Sequence, residues 1–163
     1  MGWPSNWQDR ISGADCPACA AGRFEESADP PLARFFAGEV SDAYLVLGTL
    51  QPGWAVVLWQ GRHVVEPTDL TPQEAAAFNA ETLIAARAMQ AHYRPLKLNF
   101  QTLGNEAPHL HTSVTMRYSD TEDIAPGEDI LPGRFVPADG RPPARDERAD
   151  IDALRRLARA GGR

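Results

Sequence analysis

The sequence has few cysteines, few lysines and no long apolar run, and each shortage excludes a class of protein. Its two cysteines are too few for a disulfide-stapled secreted fold, which a chain of 163 residues does not need. No apolar stretch comes near the ~20 residues of a membrane-spanning helix. The first residues lack the basic and then apolar order of a signal peptide. We therefore expect a cytoplasmic protein that does not enter a membrane.

The charge of the chain argues against nucleic acid as a partner. The formal net charge is −6, and Lys97 is the only lysine among 16 basic residues. Basic residues cluster only near the C-terminal end, whereas nucleic-acid binding usually needs a broad basic surface. A small anionic substrate is compatible with the negative net charge, because a local site can be positive in an acidic protein. The length and a hydrophobic content of 43% predict a single domain over residues 1–163.

Two of the four histidines lie two residues apart in the segment 108–118. This segment is rich in β-branched residues and follows a Gly-Asn turn signal, so the pattern predicts a strand. Side chains at alternate positions of a strand share one face, which places His109, His111 and Ser113 in one polar row. Such a row beside a core can carry chemistry. The alternative is a pair of surface histidines on an ordinary half-exposed strand.

The other patterns predict an α+β fold with an antiparallel sheet of about five strands. A helix over 71–93 starts with a capping box at Thr71 and Glu74, and its apolar stripe should pack on the sheet. A second helix is predicted at 146–160, after a proline-rich stretch at 119–143 that is mostly loop. The other predicted strands are 43–47, 54–59 and 96–101, with a hairpin turn at Gln51-Pro52-Gly53 and a short helical turn or strand start at 32–36.

Cys16 and Cys19, separated by Pro-Ala, have the spacing of a redox couple or of half a zinc site. A redox couple would need a buried strand before it and a helix starting at it, and the flanking residues favour neither. A zinc site needs two more ligands. His63, just past a predicted strand, and His109 would complete a closed Cys2His2 set, which is structural and leaves His111 free to react. The alternative is an open three-ligand site that activates water.

Together these features resemble the histidine-triad family of nucleotide hydrolases and transferases. The family motif, His-φ-His-φ-His-φ-φ with φ an apolar residue, stands here as His109-Leu110-His111-Thr112-Ser113-Val114-Thr115, followed by Arg117-Tyr118. The resemblance covers roughly residues 16–118, and the order of its parts makes it specific. These parts are Gln51-Pro52-Gly53, Gly61-Arg62-His63-Val64, Asp69-Leu70-Thr71, Leu98-Asn99 and Leu103-Gly104-Asn105. The Cys-x-x-Cys pair, the central histidine and the first motif histidine match the zinc set of zinc-bearing members.

The resemblance implies a role for each residue of the site. His111, the middle motif histidine, would attack the α-phosphorus of a nucleotide and form a covalent nucleotidyl-imidazole, which water or another acceptor then releases. Asn99 and Asn105 match positions that hold the phosphate or the ribose. Family members commonly dimerise, so a homodimer is expected. A structural Zn2+ would be held by Cys16, Cys19, His63 and His109.

The sequence departs from the family motif at Ser113, where the third histidine would stand. Serine can donate a hydrogen bond to a phosphate oxygen but carries no charge, and losing one general acid can cost on the order of 10²–10⁴ in rate. The first expected function is hydrolysis of a dinucleoside polyphosphate or a nucleoside phosphoramidate. A nucleotidyltransferase is the second, because the uridylyltransferase relatives also lack histidine at this position. A nucleotide-binding module with little catalysis is the third, and a zinc-stabilised protein of another function is the remaining alternative.

Overall fold

A six-stranded antiparallel sheet forms the centre of the computed structural model, which describes residues 3–49, 51–118 and 146–162. The strands are β1 (Glu26–Ala28), β2 (Pro31–Ala37), β3 (Ser41–Val46), β4 (Trp54–Trp59), β5 (Lys97–Gln101) and β6 (His111–Arg117). They lie in the order β1-β2-β3-β4-β6-β5, and every neighbouring pair is antiparallel. The helices are α1 (Trp7–Ser12), α2 (Pro17–Ala21), α3 (Pro72–Tyr93) and α4 (Glu147–Gly161), with a 3-10 turn at Pro67–Asp69.

The predicted α+β fold is confirmed, with two differences in the sheet. It has six strands instead of about five, because residues 32–36 lie in β2 and the short β1 pairs with the first three residues of that strand. The histidine strand begins at His111 rather than at 108. Before it, the His109 N–H donates to the Ala107 carbonyl at 2.8 Å in a tight turn, and the Leu110 N–H donates to Val64 at 2.7 Å. The predicted loop at 119–143 lies outside the described residues.

Helix α3 begins as the sequence predicts and packs on one face of the sheet. The Thr71 hydroxyl accepts from the Glu74 N–H at 3.2 Å, and the Glu74 carboxylate accepts from the Thr71 N–H at 2.8 Å, which completes the capping box. The Glu81 carboxylate accepts from the Ser41 hydroxyl at 2.7 Å and so ties the helix to the start of β3. The predicted apolar stripe faces the core, with Phe78, Thr82, Ala85 and Met89 buried and Tyr93 partly buried.

Helix α4 lies beside α3 on the same face of the sheet. Its N-cap is Asp146, whose carboxylate accepts from the Ala149 N–H at 3.1 Å. Asp150 joins the two helices, since it accepts from His92 Nε2 at 2.7 Å and from the Tyr93 hydroxyl at 3.2 Å. Across the described part of the chain, no helix is both long and apolar enough to cross a membrane. The buried residues of α4 are Ile151, Leu154 and Ala158.

The other face of the sheet is closed at β3, half-exposed along β4, partly to fully exposed along β5, and on β6 half-exposed only at His111, since Ser113 and Thr115 are buried. At β3 it buries the carboxylate of Asp42, which is 0% exposed. This carboxylate accepts from Arg23 at 2.8 Å and from Arg34 and the Tyr44 hydroxyl at 3.3 Å each. Phe24 stacks on the Tyr44 ring with centroids 4.4 Å apart and covers this part of the face. The half-exposed part carries His111 and its neighbours.

Candidate functional site

The four side chains predicted to bind zinc meet at the end of the sheet where β4 ends and β6 begins. Cys16, Cys19, His63 and His109 each offer one ligand atom, and these four atoms all lie within 4.8 Å of one another. Cys16 Sγ is 3.4 Å from His109 Nδ1. Cys19 Sγ is 3.3 Å from His63 Nδ1 and 3.5 Å from His109 Nδ1. These residues form a candidate metal centre.

Backbone carbonyls set the tautomer of both histidines in this cluster. A carbonyl only accepts hydrogen bonds, so Nε2 of His109 donates to the Trp59 carbonyl at 2.9 Å, and Nε2 of His63 donates to the Ile11 carbonyl at 2.9 Å. When the rings are neutral, each Nδ1 therefore directs its lone pair toward the cysteine sulfurs. Hydrogen bonds on the far nitrogen orient metal-binding histidines in this way.

The spacing of the cluster fits a tetrahedral metal ion. Zn–S bonds of about 2.3 Å and Zn–N bonds of about 2.0–2.1 Å place sulfur and nitrogen ligands about 3.6 Å apart, close to the 3.3, 3.4 and 3.5 Å observed. Desolvation and the hydrogen bond and charge of Cys16 raise the pKa of the Cys19 thiol to about 11, and burial lowers the pKa of His109. A divalent cation would reverse the shift at Cys19, because it stabilises the thiolate.

The N-terminal segment, residues 3–22, wraps around this cluster. Gly13 ends α1 with φ +85°, and a Cβ at this position would lie 2.9 Å from Cγ of His63, so both the conformation and the space require glycine. Arg10 donates to the Glu106 carbonyl at 2.9 Å and ties the segment to the loop before β6. The segment therefore contacts both the cluster and the loop that leads to His111.

His111 is the first residue of β6 and is half-exposed. Its Nδ1 donates to the His109 carbonyl at 2.8 Å, which leaves the lone pair of the neutral ring on Nε2. The two motif histidines thus differ in their surroundings. Both ring nitrogens of His109 are engaged in a buried cluster, whereas His111 keeps one nitrogen in the form that a nucleophile needs.

The strand register places two of the three predicted substrate-binding residues on the face that carries His111. Ser113 lies two positions further along β6 and is 5% exposed. Asn99 of β5 pairs with Thr115, two further positions along β6, and is half-buried. Directly opposed residues and alternate residues share a face. Asn105 is exposed in the loop between β5 and β6 and does not lie on the sheet.

Sequence reasoning assigned no role to Trp54, although it touches the site. Its indole Nε1 donates to Ser113 Oγ at 3.3 Å, and in the register it pairs with Thr115. The link between Arg10 and Glu106, 96 residues apart, was also missed. Neither contact leaves a signal in local sequence, because each joins segments that only the folded chain brings together.

The fold and this arrangement of histidines together define a histidine-triad type of domain, and comparisons with known proteins agree. Residues 41–120 match the family model of the HIT domain. No protein among the curated sequences matches the chain. The resemblance to the histidine-triad family is confirmed, and residues 41–120 form a HIT domain.

Solved structures of histidine-triad proteins share the fold over most of the chain. One, from Bradyrhizobium japonicum, is 25% identical over 78% of this chain and 90% of its own, with a TM-score of 0.64. Another, from Sinorhizobium meliloti, is 20% identical over 85% of this chain and 98% of its own, with a TM-score of 0.67. A Zn-bound member from Mycobacterium smegmatis is 19% identical over 90% of this chain and 95% of its own, with a TM-score of 0.59.

Proposed function

We propose that this protein is a nucleotide hydrolase that cleaves at the α-phosphate through a covalent nucleotidyl adduct on His111. The observation that carries the proposal is the 2.8 Å hydrogen bond from His111 Nδ1 to the His109 carbonyl. This bond fixes the tautomer and leaves a lone pair on Nε2 of a half-exposed ring. The neutral ring presents this lone pair directly to the phosphorus, so the nucleophile needs no separate base.

In the proposed reaction, Nε2 of His111 attacks the α-phosphorus and the bond to the leaving group breaks. The ring keeps the proton on Nδ1, so the imidazole ring of the adduct is cationic, and the His109 carbonyl stabilises that N–H. Water then attacks the phosphorus, the P–N bond breaks, the electron pair returns to Nε2, and the proton lost by the water passes to the product phosphate or to solvent. Asn99, Asn105 and Ser113 are the proposed ligands of the phosphate or the ribose.

The metal in this proposal is Zn2+, and its role is structural. Cys16, Cys19, His63 and His109 would form a closed set, which leaves no coordination position for substrate. A bound ion would hold residues 3–22 against the sheet and fix the His109 backbone. That backbone carries the carbonyl that orients His111. The Zn-bound relative of the same fold supports this choice of metal.

A homodimer would bury the edge of the sheet at β5. Among the described strands β5 is an edge of the sheet, and Phe100 on it is 46% exposed. Leu96 and Leu103, on either side of the strand, are 76% and 45% exposed. An unpaired strand edge with apolar side chains favours pairing with a second copy. The cytoplasmic location expected from the sequence stays a prediction.

Turnover of dinucleoside tetraphosphates carrying each of the four common bases tests the proposal. We expect release of a nucleoside monophosphate, and His111→Ala should lower the rate by at least about 10³-fold, because the nucleophile is gone. The variant should keep its melting temperature and metal content. His92→Ala is the matched control, since that histidine pairs with Asp150 away from the site. A His111→Ala rate within tenfold of wild type would refute the assignment.

Transfer to an acceptor other than water is the second candidate, and Ser113 favours it. Its hydroxyl cannot act as an acid or base near neutral pH, so the site has fewer groups that can activate water. Adding phosphate or a sugar phosphate to the preformed adduct separates the two functions. A hydrolase yields only the monophosphate, whereas a transferase yields the nucleotidylated acceptor.

A further inference from the structure

The indole of Trp54 makes a directed hydrogen bond on the sheet face that carries His111. Its Nε1–H donates to Ser113 Oγ at 3.3 Å. In the register Trp54 pairs with Thr115, two positions beyond Ser113, so the indole reaches its partner diagonally. The directly opposite hydroxyl, Thr115 Oγ1, is buried and has no hydrogen-bond partner among the described residues. The indole is therefore directed at Ser113 and not at its neighbour in the register.

The start of β4 is held tightly against β6, which fixes the backbone from which the indole extends. Gly53, just before Trp54, has φ +87°, and its carbonyl accepts from the Met116 N–H at 3.2 Å. A Cβ at this position would overlap Cγ of Met116 and lie 3.0 Å from Cδ2 of Tyr93. Only glycine allows this conformation and this close approach. The Trp54 side chain therefore leaves the strand from a fixed point.

The hydrogen bond leaves the Ser113 hydroxyl as a donor. An indole N–H can only donate, so Ser113 Oγ is the acceptor and the serine O–H must point away from the indole. Ser113 is 5% exposed, so little water competes for this bond, and a hydrogen bond in such surroundings is stronger than one in water. Without the indole, the hydroxyl is free to rotate and to bond to the nearby backbone, as serine hydroxyls commonly do.

Strand geometry brings this hydroxyl within reach of the phosphate in the proposed reaction. Ser113 lies two residues beyond His111 on the same face of β6, which is about 7 Å along the strand. A phosphorus poised for attack lies about 3–3.5 Å from the attacking nitrogen. A phosphate in that position lies between the two side chains, where the serine O–H can donate to one of its non-bridging oxygens.

We propose that Trp54 is a positioning residue that directs the Ser113 hydroxyl at a non-bridging oxygen of the α-phosphate. The inference rests on the proposed function and assigns Ser113 to the phosphate and not to the ribose. The hydroxyl binds the oxygen and the indole sets the direction of the hydroxyl, so the two residues act as one unit. The oxygen accepts this bond before and after His111 attacks. The unit therefore contributes to substrate binding and leaves kcat nearly unchanged.

The test compares the binding of a nucleoside monophosphate with that of the same nucleoside, by titration calorimetry and for each common base. In Ser113→Ala the Kd of the monophosphate should rise on the order of 10–100-fold, as expected for one hydrogen bond to a charged group. Trp54→Phe keeps an aromatic ring and loses the N–H, and should raise this Kd at least about fivefold. The Kd of the nucleoside should not change in either variant. Once Ser113 is alanine, Trp54→Phe should have no further effect, because the indole has no hydroxyl to direct.

Thr115→Val is the matched control, since it removes the neighbouring buried hydroxyl and keeps the shape of the side chain. Its monophosphate Kd should equal that of wild type. In turnover of a dinucleoside tetraphosphate, Trp54→Phe should raise KM and leave kcat nearly unchanged. A purely structural role for Trp54 would instead lower the melting temperature and the active fraction, and so lower kcat with KM unchanged. Equal losses for monophosphate and nucleoside would show that Trp54 contacts the nucleoside directly and would also overturn the inference.

A measurement on the wild-type protein gives an answer that does not depend on the affinity of any variant. The sequence contains four tryptophans, and the indole N–H signal of Trp54 in a nitrogen–proton NMR spectrum is identified by its loss in Trp54→Phe. The monophosphate should shift this signal and the nucleoside alone should not. An unshifted signal would overturn the inference while leaving the His111 mechanism intact. A wild-type protein that binds no monophosphate and cleaves no dinucleoside tetraphosphate would instead contradict the proposed function itself.

Discussion

Metal removal should release the N-terminal segment, residues 3–22, while the sheet stays folded. Cys16 is the only buried residue of the segment, and α1 and α2 bury none of theirs. Hydrogen bonds from Arg10 to the Glu106 carbonyl and from His63 to the Ile11 carbonyl also reach the rest of the chain. The net contribution of such a bond is about 0.5–1.5 kcal/mol, and up to about 3 kcal/mol where the charged Arg10 is the donor. The segment therefore has little apolar burial to hold it once the metal is gone.

The size of the effect follows from mass action on the closed segment. Free Zn2+ at about 1,000 times its Kd stabilises the closed form by about 4.1 kcal/mol, a factor of about 10³. Amide hydrogen exchange in residues 3–22 should accelerate by about that factor when a chelator removes the metal, whereas α3 keeps its rates. Cys19→Ser should behave like the chelated protein, and Ala20→Ser, its neighbour in α2, should not. Equal exchange with and without metal, or loss of protection throughout the chain, would refute the reasoning.

Three further predictions concern stability. Asp42→Ala leaves the Arg34 guanidinium without its buried partner. We expect this substitution to lower the free energy of unfolding, measured by urea titration, by about 3–5 kcal/mol. A loss under about 1 kcal/mol would contradict the assignment of a buried ion pair. Leu154→Ala should cost about 2–5 kcal/mol in one cooperative transition if α4 belongs to the same single domain, whereas two separate transitions would contradict that prediction. Arg62 lowers the pKa of Glu74 from 4.5 to about 2, so the stability that Glu74 contributes is present above pH 4.5 and is lost as the pH falls toward 2. Glu74→Gln should accordingly flatten the acid side of a melting-temperature profile, and an unchanged profile would show that the pair contributes nothing.

Local patterns in the sequence predicted what depends on neighbours along the chain. Thr71 and Glu74 marked the start of α3 because a capping box needs only residues three apart. The spacing of Cys16 and Cys19 indicated a pair of ligands, and the motif resemblance pointed to the two histidines that meet them. These predictions rest on capping, on residue spacing and on the motif resemblance, all of which can be read from short stretches of sequence.

Features that depend on alignment between distant strands could not be predicted in the same way. The contact of Trp54 with Ser113 follows from the β4–β6 register, and that register depends on the packing of the whole sheet. The sixth strand, β1, has only three residues and no apolar alternation, so it resembled a loop. His109 was placed inside the strand because alternation cannot distinguish a strand residue from one held just before the strand by a turn.

The most direct test of the His111 mechanism is the mass of the protein quenched during turnover of a dinucleoside tetraphosphate. Quenching in base preserves the acid-labile bond between phosphorus and imidazole. The mass should rise by one nucleoside monophosphate less one water, peptide mapping should place the addition on His111, and His111→Ala should show none. An adduct on another residue, or one that persists in His111→Ala, would contradict the assignment of His111 as the nucleophile.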